Sequence, residues 1–349
     1  MNDAATVSRP AWLGIDVSKR TFDAAVHPPW EPGLQVRFAD LPKRSFERTP
    51  EGAAQLAGWL DETVPQGEVR ALMEATGQYS LELAAWLTAA RPALRPTIAD
   101  PKAVCHFIRS LRLRNKTDRT DAAALARYGA ERSPEPSPAP APEYATLRDM
   151  SRQRTFIVNT IVAARNRLEE IAASREVAAL HRKTIRRLED DLLQIESLMR
   201  QHVKSHANLL EAVRLLDTIP GVAFITAATV LGEFGDLTRF HKARSLSAFA
   251  GTSPRRFESG DSVKGKTRMC KQGSPRARQA LYLASLAAIR SKKGNALARF
   301  YAALVARGKS KMAAIGAVMR KMLVLMRALM VNHTEYHDEW LLEKSSSPA

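Results

Sequence analysis

Apolar residues follow a strand-like pattern in the first third of the chain. Residues 12–26 (WLGIDVSKRTFDAAV) predict a strand, a polar turn and a second strand. Short apolar runs at 69–74 and 95–100 are typical of buried strands, and 79–91 carries apolar residues at helical spacing. Because strands alternate with helices, we predict a mixed α/β layer domain over residues 10–132.

A proline-rich segment separates this domain from a long helical region. Residues 133–143 (SPEPSPAPAPE) contain five prolines, which predict a semi-rigid linker. Residues 144–215 contain no proline or glycine and predict two long helices, broken near 172–175. An apolar seam at steps of three or four residues fits either a hairpin within the chain or a coiled-coil contact between two copies. The seam consists of Ile185, Leu188, Leu192, Ile195 and Met199.

The last third is predicted to be mostly α. Region 216–332 opens with a Pro220–Gly221 turn and an apolar helix, a pattern typical of helix-hairpin-helix units that bind phosphate through backbone N–H groups. The same turn also commonly joins two helices without that role. A loop rich in glycine and lysine follows, and the final residues, 333–349, are predicted to form a tail. Further helices are predicted at 276–290, 295–306 and 310–332.

Charge changes this picture, because the chain of 349 residues has a formal net charge of +17. Residues 239–311 hold 18 lysines and arginines but only two acids, which indicates a nucleic-acid surface. No apolar run approaches a membrane span and no leader is evident, so we expect a cytoplasmic protein without a membrane partner. Two isolated cysteines, Cys105 and Cys270, argue against a zinc site or a disulfide framework.

Four acidic residues are candidates for chemistry. Asp118 and Asp121 open a helical stretch, where acids ordinarily complement the helix dipole. Asp16 and Glu74 each end an apolar strand, where a carboxylate is costly unless it is paired or metal-bound. If all four meet at one sheet edge, their mutual repulsion calls for cations, and oxygen ligands suit Mg²⁺. Two such ions can clamp the attacking and leaving oxygens of a phosphodiester.

Two clusters of basic residues are candidates for nucleic-acid binding. One precedes the aspartate pair and the other surrounds Ser259 in residues 251–282. Their members are Arg112, Arg114, Lys116, Arg255, Arg256, Lys264, Lys266, Arg268, Lys271 and Arg276.

The motifs GIDVSKRTFD, MEATG and KTDRTDAAALARY together resemble the DEDD-motif transposases of bacterial insertion sequences, the insertion-sequence 110 family. The resemblance implies an N-terminal RuvC-like domain with a ribonuclease H-like fold. It also implies that Asp16, Glu74, Asp118 and Asp121 form an acidic tetrad that binds Mg²⁺.

The block GTSPRRFESGDSVKGKTRMCKQGSPRARQALY at 251–282 resembles the C-terminal transposase domain of that family. The resemblance implies that Ser259 is the nucleophile, joined to DNA through a phosphoserine; Ser253 and Ser262 are neighbouring alternatives. It further implies a structured guide RNA that pairs with donor and target DNA, and a homo-oligomer, dimer or tetramer. The chain departs from the family in its long linker and in the Ser-Pro after Gly273.

We therefore expect a transposase that cuts and rejoins DNA. One alternative is a metal-dependent nuclease of the junction-resolving type, which uses water and leaves Ser259 as a turn residue. Another is a nucleic-acid-binding protein without enzymatic activity, in which the carboxylates are helix caps and salt-bridge partners.

Overall fold

The computed structural model describes residues 9–338 with several gaps. The gaps are Pro32, Gln35, Gln66, Thr76, Arg95, Asp100, 112–117, 136–140, 172–173, 256–257, 260–262, 265–267 and Lys293. Side chains are also left undescribed at Gln78, Asp118, Glu258, Ser259, Val263 and Lys264. The chain divides into two compact units, Met1–Ala139 and Pro140–Ala349.

A five-stranded sheet organises the N-terminal unit, in the spatial order β3-β2-β1-β4-β5. Strand β1 is antiparallel to β2 and parallel to β4, so the sheet is mixed. The strands predicted at 12–26, 69–74 and 95–100 are confirmed, whereas β3 was not predicted. The strands are β1 (Ala11–Val17), β2 (Thr21–His27), β3 (Lys43–Glu47), β4 (Val69–Glu74) and β5 (Thr97–Ala99).

Helices cover both faces of this sheet, which explains why its central strands β1 and β4 are mostly apolar rather than alternating. One face, with Leu13 and Ile15, packs on α1 and α2, and the other, with Trp12 and Leu72, packs on α3 and α4. The helices are α1 (Pro50–Thr63), α2 (Gln78–Ala90), α3 (Pro101–Ser110) and α4 (Asp118–Arg132).

The C-terminal unit is mostly helical, as predicted, and has one core shared by its helices. Two short hairpin pairs, β6 with β9 and β7 with β8, interrupt it. The helices are α5 (Pro142–Glu170), α6 (Arg175–Lys204), α7 (Ala207–Asp217), α8 (Phe224–Phe234), α9 (Ala243–Phe249), α10 (Pro275–Arg290), α11 (Ala296–Ala306) and α12 (Lys311–Asn332). The strands are β6 (Pro254–Arg255), β7 (Glu258–Ser259), β8 (Val263–Lys264) and β9 (Arg268–Met269).

Helices α5 and α6 pack against each other within the chain. The predicted seam lies in this contact: Ile185 and Met199 are buried, and the three residues between them are half-buried. Helix α5 begins at Pro142, inside the predicted linker, because proline is compatible with the first turn of a helix. The coiled-coil contact between copies, the ribonuclease H-like relationship and the domain limits stay predictions. None of the described helices is long and apolar enough to cross a membrane.

Candidate active site

Two of the predicted acids are neighbours on adjacent strands. In the parallel pairing of β1 with β4, Ile15 lies opposite Met73, so the next positions are Asp16 and Glu74. Adjacent strands lie about 4.8 Å apart, and side chains at matched positions share one face of the sheet. Both side chains are half-buried at the end of their strands. The register therefore brings Asp16 and Glu74 together.

Helix α4 crosses the same face at very short range. A Cβ atom on Gly14 would lie 2.1 Å from the carbonyl oxygen of Ala122 and 2.2 Å from the amide nitrogen of Ala126. At the other end of the contact, Gly129 lies against the Trp12 ring. Because later helix residues lie over earlier strand residues, the first turn of α4 lies toward the Asp16 end of β1.

Asp118 and Asp121 begin this helix, as predicted. They precede the sheet-facing residues Ala122 and Leu125 by four positions each, so they continue the same helical stripe. Asp121 is half-buried. The fold thus brings Asp16, Glu74 and Asp121 to one edge of the sheet, with the backbone of Asp118 beside them; their catalytic roles stay predictions.

A fifth acid, Asp23, was missed in the sequence. It pairs with Asp16 across β1 and β2, so their side chains share a face. Its side chain is only 15% exposed, accepts a hydrogen bond from the Ser45 hydroxyl, and lies 3.8 Å from Nε of Arg119 in the first turn of α4. The signal was present in β2, where Asp23 interrupts an otherwise apolar run.

The carboxylate oxygens at this edge are the ligand type that Mg²⁺ prefers. Among side chains that the structure describes, no three from His, Cys, Asp and Glu stand close enough to hold a metal ion. That set excludes Asp118, whose side chain is undescribed. The donor types are those that Mg²⁺ prefers, but Asp16, Glu74 and Asp121 do not by themselves form a ligand set, so a complete set would require Asp118 as well.

Ser259 lies on β7, paired with Val263 of β8. Its neighbours Arg256, Ser262 and Lys266 lie outside the described residues, as do Arg112, Arg114 and Lys116 of the first basic cluster. Only the backbone of Lys264 is described, and Ser253 is half-buried at the loop base. The remaining predicted cations of this segment have exposed side chains: Arg255, Arg268, Lys271 and Arg276.

The base of the Ser259 loop is tightly closed. The amide of Lys271, a residue with φ of 59°, donates to the carbonyl of Gly251 over 3.0 Å. A Cβ on Gly251 would lie 1.9 Å from the carbonyl oxygen of Gln272, so glycine is required there. Arg278 donates to the carbonyls of Ala250 and Gly273, over 3.3 and 2.9 Å, and burial lowers the pKa of its guanidinium. The loop is therefore mounted on a fixed base.

The Pro220–Gly221 turn has a packing role. Gly221 has φ of +84°, and a Cβ there would lie 2.2 Å from the carbonyl oxygen of Ala284 in α10. This close contact with α10 favours a simple helix–helix junction over a phosphate-binding turn.

Two models of known protein families match this chain, one over each of its two motif regions. Residues 13–174 match a family model described as a transposase and named for the DEDD motif of IS110 elements. Residues 213–302 match the model described as the IS116/IS110/IS902 family of transposases. The chain belongs to the IS110 family of transposases. It is accordingly a DNA transposase or recombinase, and the predicted family resemblance is confirmed.

Relatives of this transposase include proteins named for DNA inversion. The pilin gene-inverting proteins of Moraxella bovis and Moraxella lacunata are each 28% identical over 321 residues, 91% of this chain and 95% of theirs. A transposase for insertion sequence element IS1111A from Coxiella burnetii is 39% identical over 61 residues, 18% of this chain and 17% of its own.

Proposed function

We propose that this transposase cuts and rejoins DNA strands through a covalent bond between Ser259 and DNA, assisted by an acidic site on the N-terminal sheet. The observation that carries the acidic part is the convergence of Asp16, Glu74 and the first turn of α4 at one sheet edge. The serine is supported by its family motif and by the closed loop base on which it is mounted.

In the proposed reaction, the Ser259 hydroxyl oxygen attacks a backbone phosphorus atom. An Oγ–P bond forms, the bond from phosphorus to one deoxyribose oxygen breaks, and the serine proton passes to that leaving oxygen. A deoxyribose hydroxyl of the joining strand then attacks the phosphoserine, which restores the serine and the phosphodiester. Exposed cations such as Arg255 and Arg268 offset charge on the phosphate.

Asp16, Glu74, Asp118 and Asp121 would hold Mg²⁺, which when bound would supply Lewis-acid stabilisation of charge on the phosphate oxygens. The half-buried carboxylates of Asp16, Glu74 and Asp121 would orient the ligands that surround the ion. Asp23 adds a further negative charge beside Asp16, and Ser45 and Arg119 hold it in place.

The guide RNA and the oligomer belong to the same proposal. The excess of basic residues in 239–311 supports a second polyanion besides DNA. Exposed apolar side chains of α6, among them Leu180 and Leu193, support a contact between copies in a dimer or tetramer. The names of the Moraxella relatives support a reaction that rejoins DNA after cutting it.

The test is strand exchange on element-end DNA, with detection of a protein–DNA adduct that resists SDS. Ser259→Ala should abolish both exchange and adduct, whereas Ser253→Ala and Ser262→Ala, the matched controls, should retain them. Asp16→Asn should abolish exchange as well. Wild-type exchange by Ser259→Ala would disprove the serine assignment.

The alternatives give different products. A junction-resolving nuclease would leave free ends without an adduct, and would lose activity with Asp16→Asn but not with Ser259→Ala. A binding protein without enzymatic activity would keep every DNA-dependent function in Asp118→Asn and Asp121→Asn variants.

A further inference from the structure

An open groove of about 340 Å³ lies between α5 and the start of α10 in the C-terminal unit. Its walls carry two arginines, Arg152 and Arg276, an aromatic ring, Phe156, and two amides, Asn159 and Gln279. The five side chains are exposed, so the groove is open to a ligand from solvent. No residue of this groove belongs to the acidic site, and Arg276 is the one residue that it shares with the predicted basic cluster around Ser259.

The floor of the groove is fixed by a buried carboxylate. Glu233 of α8 is only 4% exposed and accepts two hydrogen bonds from Arg152, over 2.8 and 3.1 Å. Burial raises the pKa of the Glu233 carboxyl, but hydrogen bonds from Arg152 and Ser274 and the charge of Arg276 outweigh it and lower the pKa. Arg152 is thus held in one position, and its positive charge is largely balanced from below.

The unbalanced charge lies at the other wall. Arg276 is the second residue of α10, which begins with Pro275 after the Ser274 cap. The dipole at the start of α10 favours an anion, and the Arg276 guanidinium adds a full positive charge. The backbone contributes little, because Pro275 has no N–H and the Ala277 N–H donates to the Ser274 hydroxyl. This wall fits a phosphate group.

The aromatic wall fits a base. The Phe156 side chain is 62% exposed, because it lines the groove instead of packing in a hydrophobic core. An exposed ring beside cations is the arrangement on which unpaired bases stack. A duplex has no free base faces to offer, because its bases are already stacked and paired. Asn159 and Gln279 supply hydrogen-bond donors and acceptors for a base edge.

We propose that this groove binds single-stranded DNA, with a base stacked on Phe156 and a phosphate at Arg276 and the start of α10. The inference rests on the proposed function, because strand exchange is what exposes an unpaired strand. The net positive charge beside the ring, which remains after Glu233 balances Arg152, favours a polyanion over the apolar face of a second copy.

The experiment measures binding of a fluorescent oligo(dT) strand to the full chain by anisotropy at about 0.2 M salt, where non-specific binding is weak. Phe156→Ala should weaken binding at least about five-fold, the lower limit for loss of one stacked base. Phe156→Trp should restore it. Arg276→Ala should weaken binding and reduce the slope of log affinity against log salt by about one.

Matched controls come from the same unit. Leu210→Ala removes an exposed apolar side chain, 46% exposed, from α7, and Arg167→Ala removes an exposed cation from the far end of α5. Neither should change strand affinity more than about two-fold if stacking and phosphate contacts are local. In the wild type, a bromodeoxyuridine-substituted strand should cross-link to the peptide that contains Phe156.

Several results would overturn the proposal: unchanged affinity in Phe156→Ala, an equal loss for duplex DNA, a larger loss for the matching oligo(U) RNA than for DNA, or a change in oligomeric state instead of affinity. Failure of the proposed function can be distinguished from failure of the groove proposal. Strand exchange by Ser259→Ala would disprove the serine assignment whatever the strand affinity of Phe156→Ala, and unchanged strand affinity in Phe156→Ala would disprove the groove whatever the result for Ser259→Ala.

Discussion

The two compact units differ in how their carboxylates are buried and paired. In the C-terminal unit, the buried carboxylate of Glu233 accepts two hydrogen bonds from Arg152, a cation that reaches solvent. In the N-terminal unit, Asp16, Glu74 and Asp121 have half-buried side chains at one sheet edge, where two parallel strands end and a helix begins. One acid is built into the packing, and the others are collected at an accessible edge.

The difference shows how burial separates a structural acid from a candidate catalytic one. A buried carboxylate that is paired with a cation stabilises one arrangement of helices and is itself withheld from substrate. Acids gathered at a sheet edge repel one another, so their position must be enforced by the backbone, here by strand register and the close contact of α4 with Gly14. The edge is therefore suited to bind cations, whereas the Glu233 pair is suited to hold a helix junction.

The largest expected effect is at Gly14. Gly14→Ala should destabilise the N-terminal unit by at least about 3 kcal/mol, because the new methyl group would collide with the α4 backbone, where overpacking cannot be relieved by a rotamer change. Urea unfolding measures this. Gly58→Ala is the control: Gly58 lies in α1 with nothing near its missing Cβ, so alanine should stabilise the helix by about 0.5 kcal/mol or more. Equal stability of the two variants would show that α4 does not enforce the acidic edge.

The next effect concerns the Ser259 loop. Gly251→Ala combines a left-handed backbone, φ of +70°, with a collision against Gln272, and should open the loop base at a cost of about 3 kcal/mol. Hydrogen exchange of the Lys271 amide, which donates to Gly251, reports the opening. Gly308→Ala shares the positive φ but has open space, so it should cost about 1 kcal/mol. Similar costs at both positions would mean that the loop base is not tightly packed.

Glu233→Gln should lower the free energy of unfolding by about 2 kcal/mol, less than for a fully buried pair because Arg152 reaches solvent. The lowered pKa of Glu233 means that its contribution is present above the unfolded value, about 4.3, and is lost as pH falls through the folded value. Urea unfolding from pH 6 to pH 3 should therefore show the gap between wild type and variant shrinking.

The control for this pair is Glu189→Gln. Glu189 and its partner Arg165 are both exposed, so this substitution should lower the free energy of unfolding by less than about 0.5 kcal/mol. A gap between wild type and Glu233→Gln that stays constant down to pH 3 would contradict the assigned cause.

The smallest effect is expected at Arg119. Its guanidinium is 70% exposed and lies 3.8 Å from Asp23, so Arg119→Ala should change the free energy of unfolding by less than about 0.5 kcal/mol. Strand exchange should fall a few-fold, because the contact ties the first turn of α4 to β2. Asp40→Asn, in the exposed pair with Arg37, is the control and should leave exchange unchanged. A loss of stability without a loss of exchange would make the Arg119 contact purely structural.

The sequence by itself determined the element types, the excess of basic residues and the family, because apolar periodicity, charge and short motifs are local properties of a chain. It also identified Asp16 and Glu74, since a carboxylate at the end of an apolar strand is conspicuous. It did not reveal β3, whose five residues are mostly polar at an edge of the sheet, or Asp23, because strand pairing is invisible before register is known. Only the tertiary structure decided that Asp23 faces Asp16, that Gly14 lets α4 approach, and that Phe156 and Arg276 share a groove. These are contacts between residues distant in sequence, set by register and helix packing rather than by local pattern.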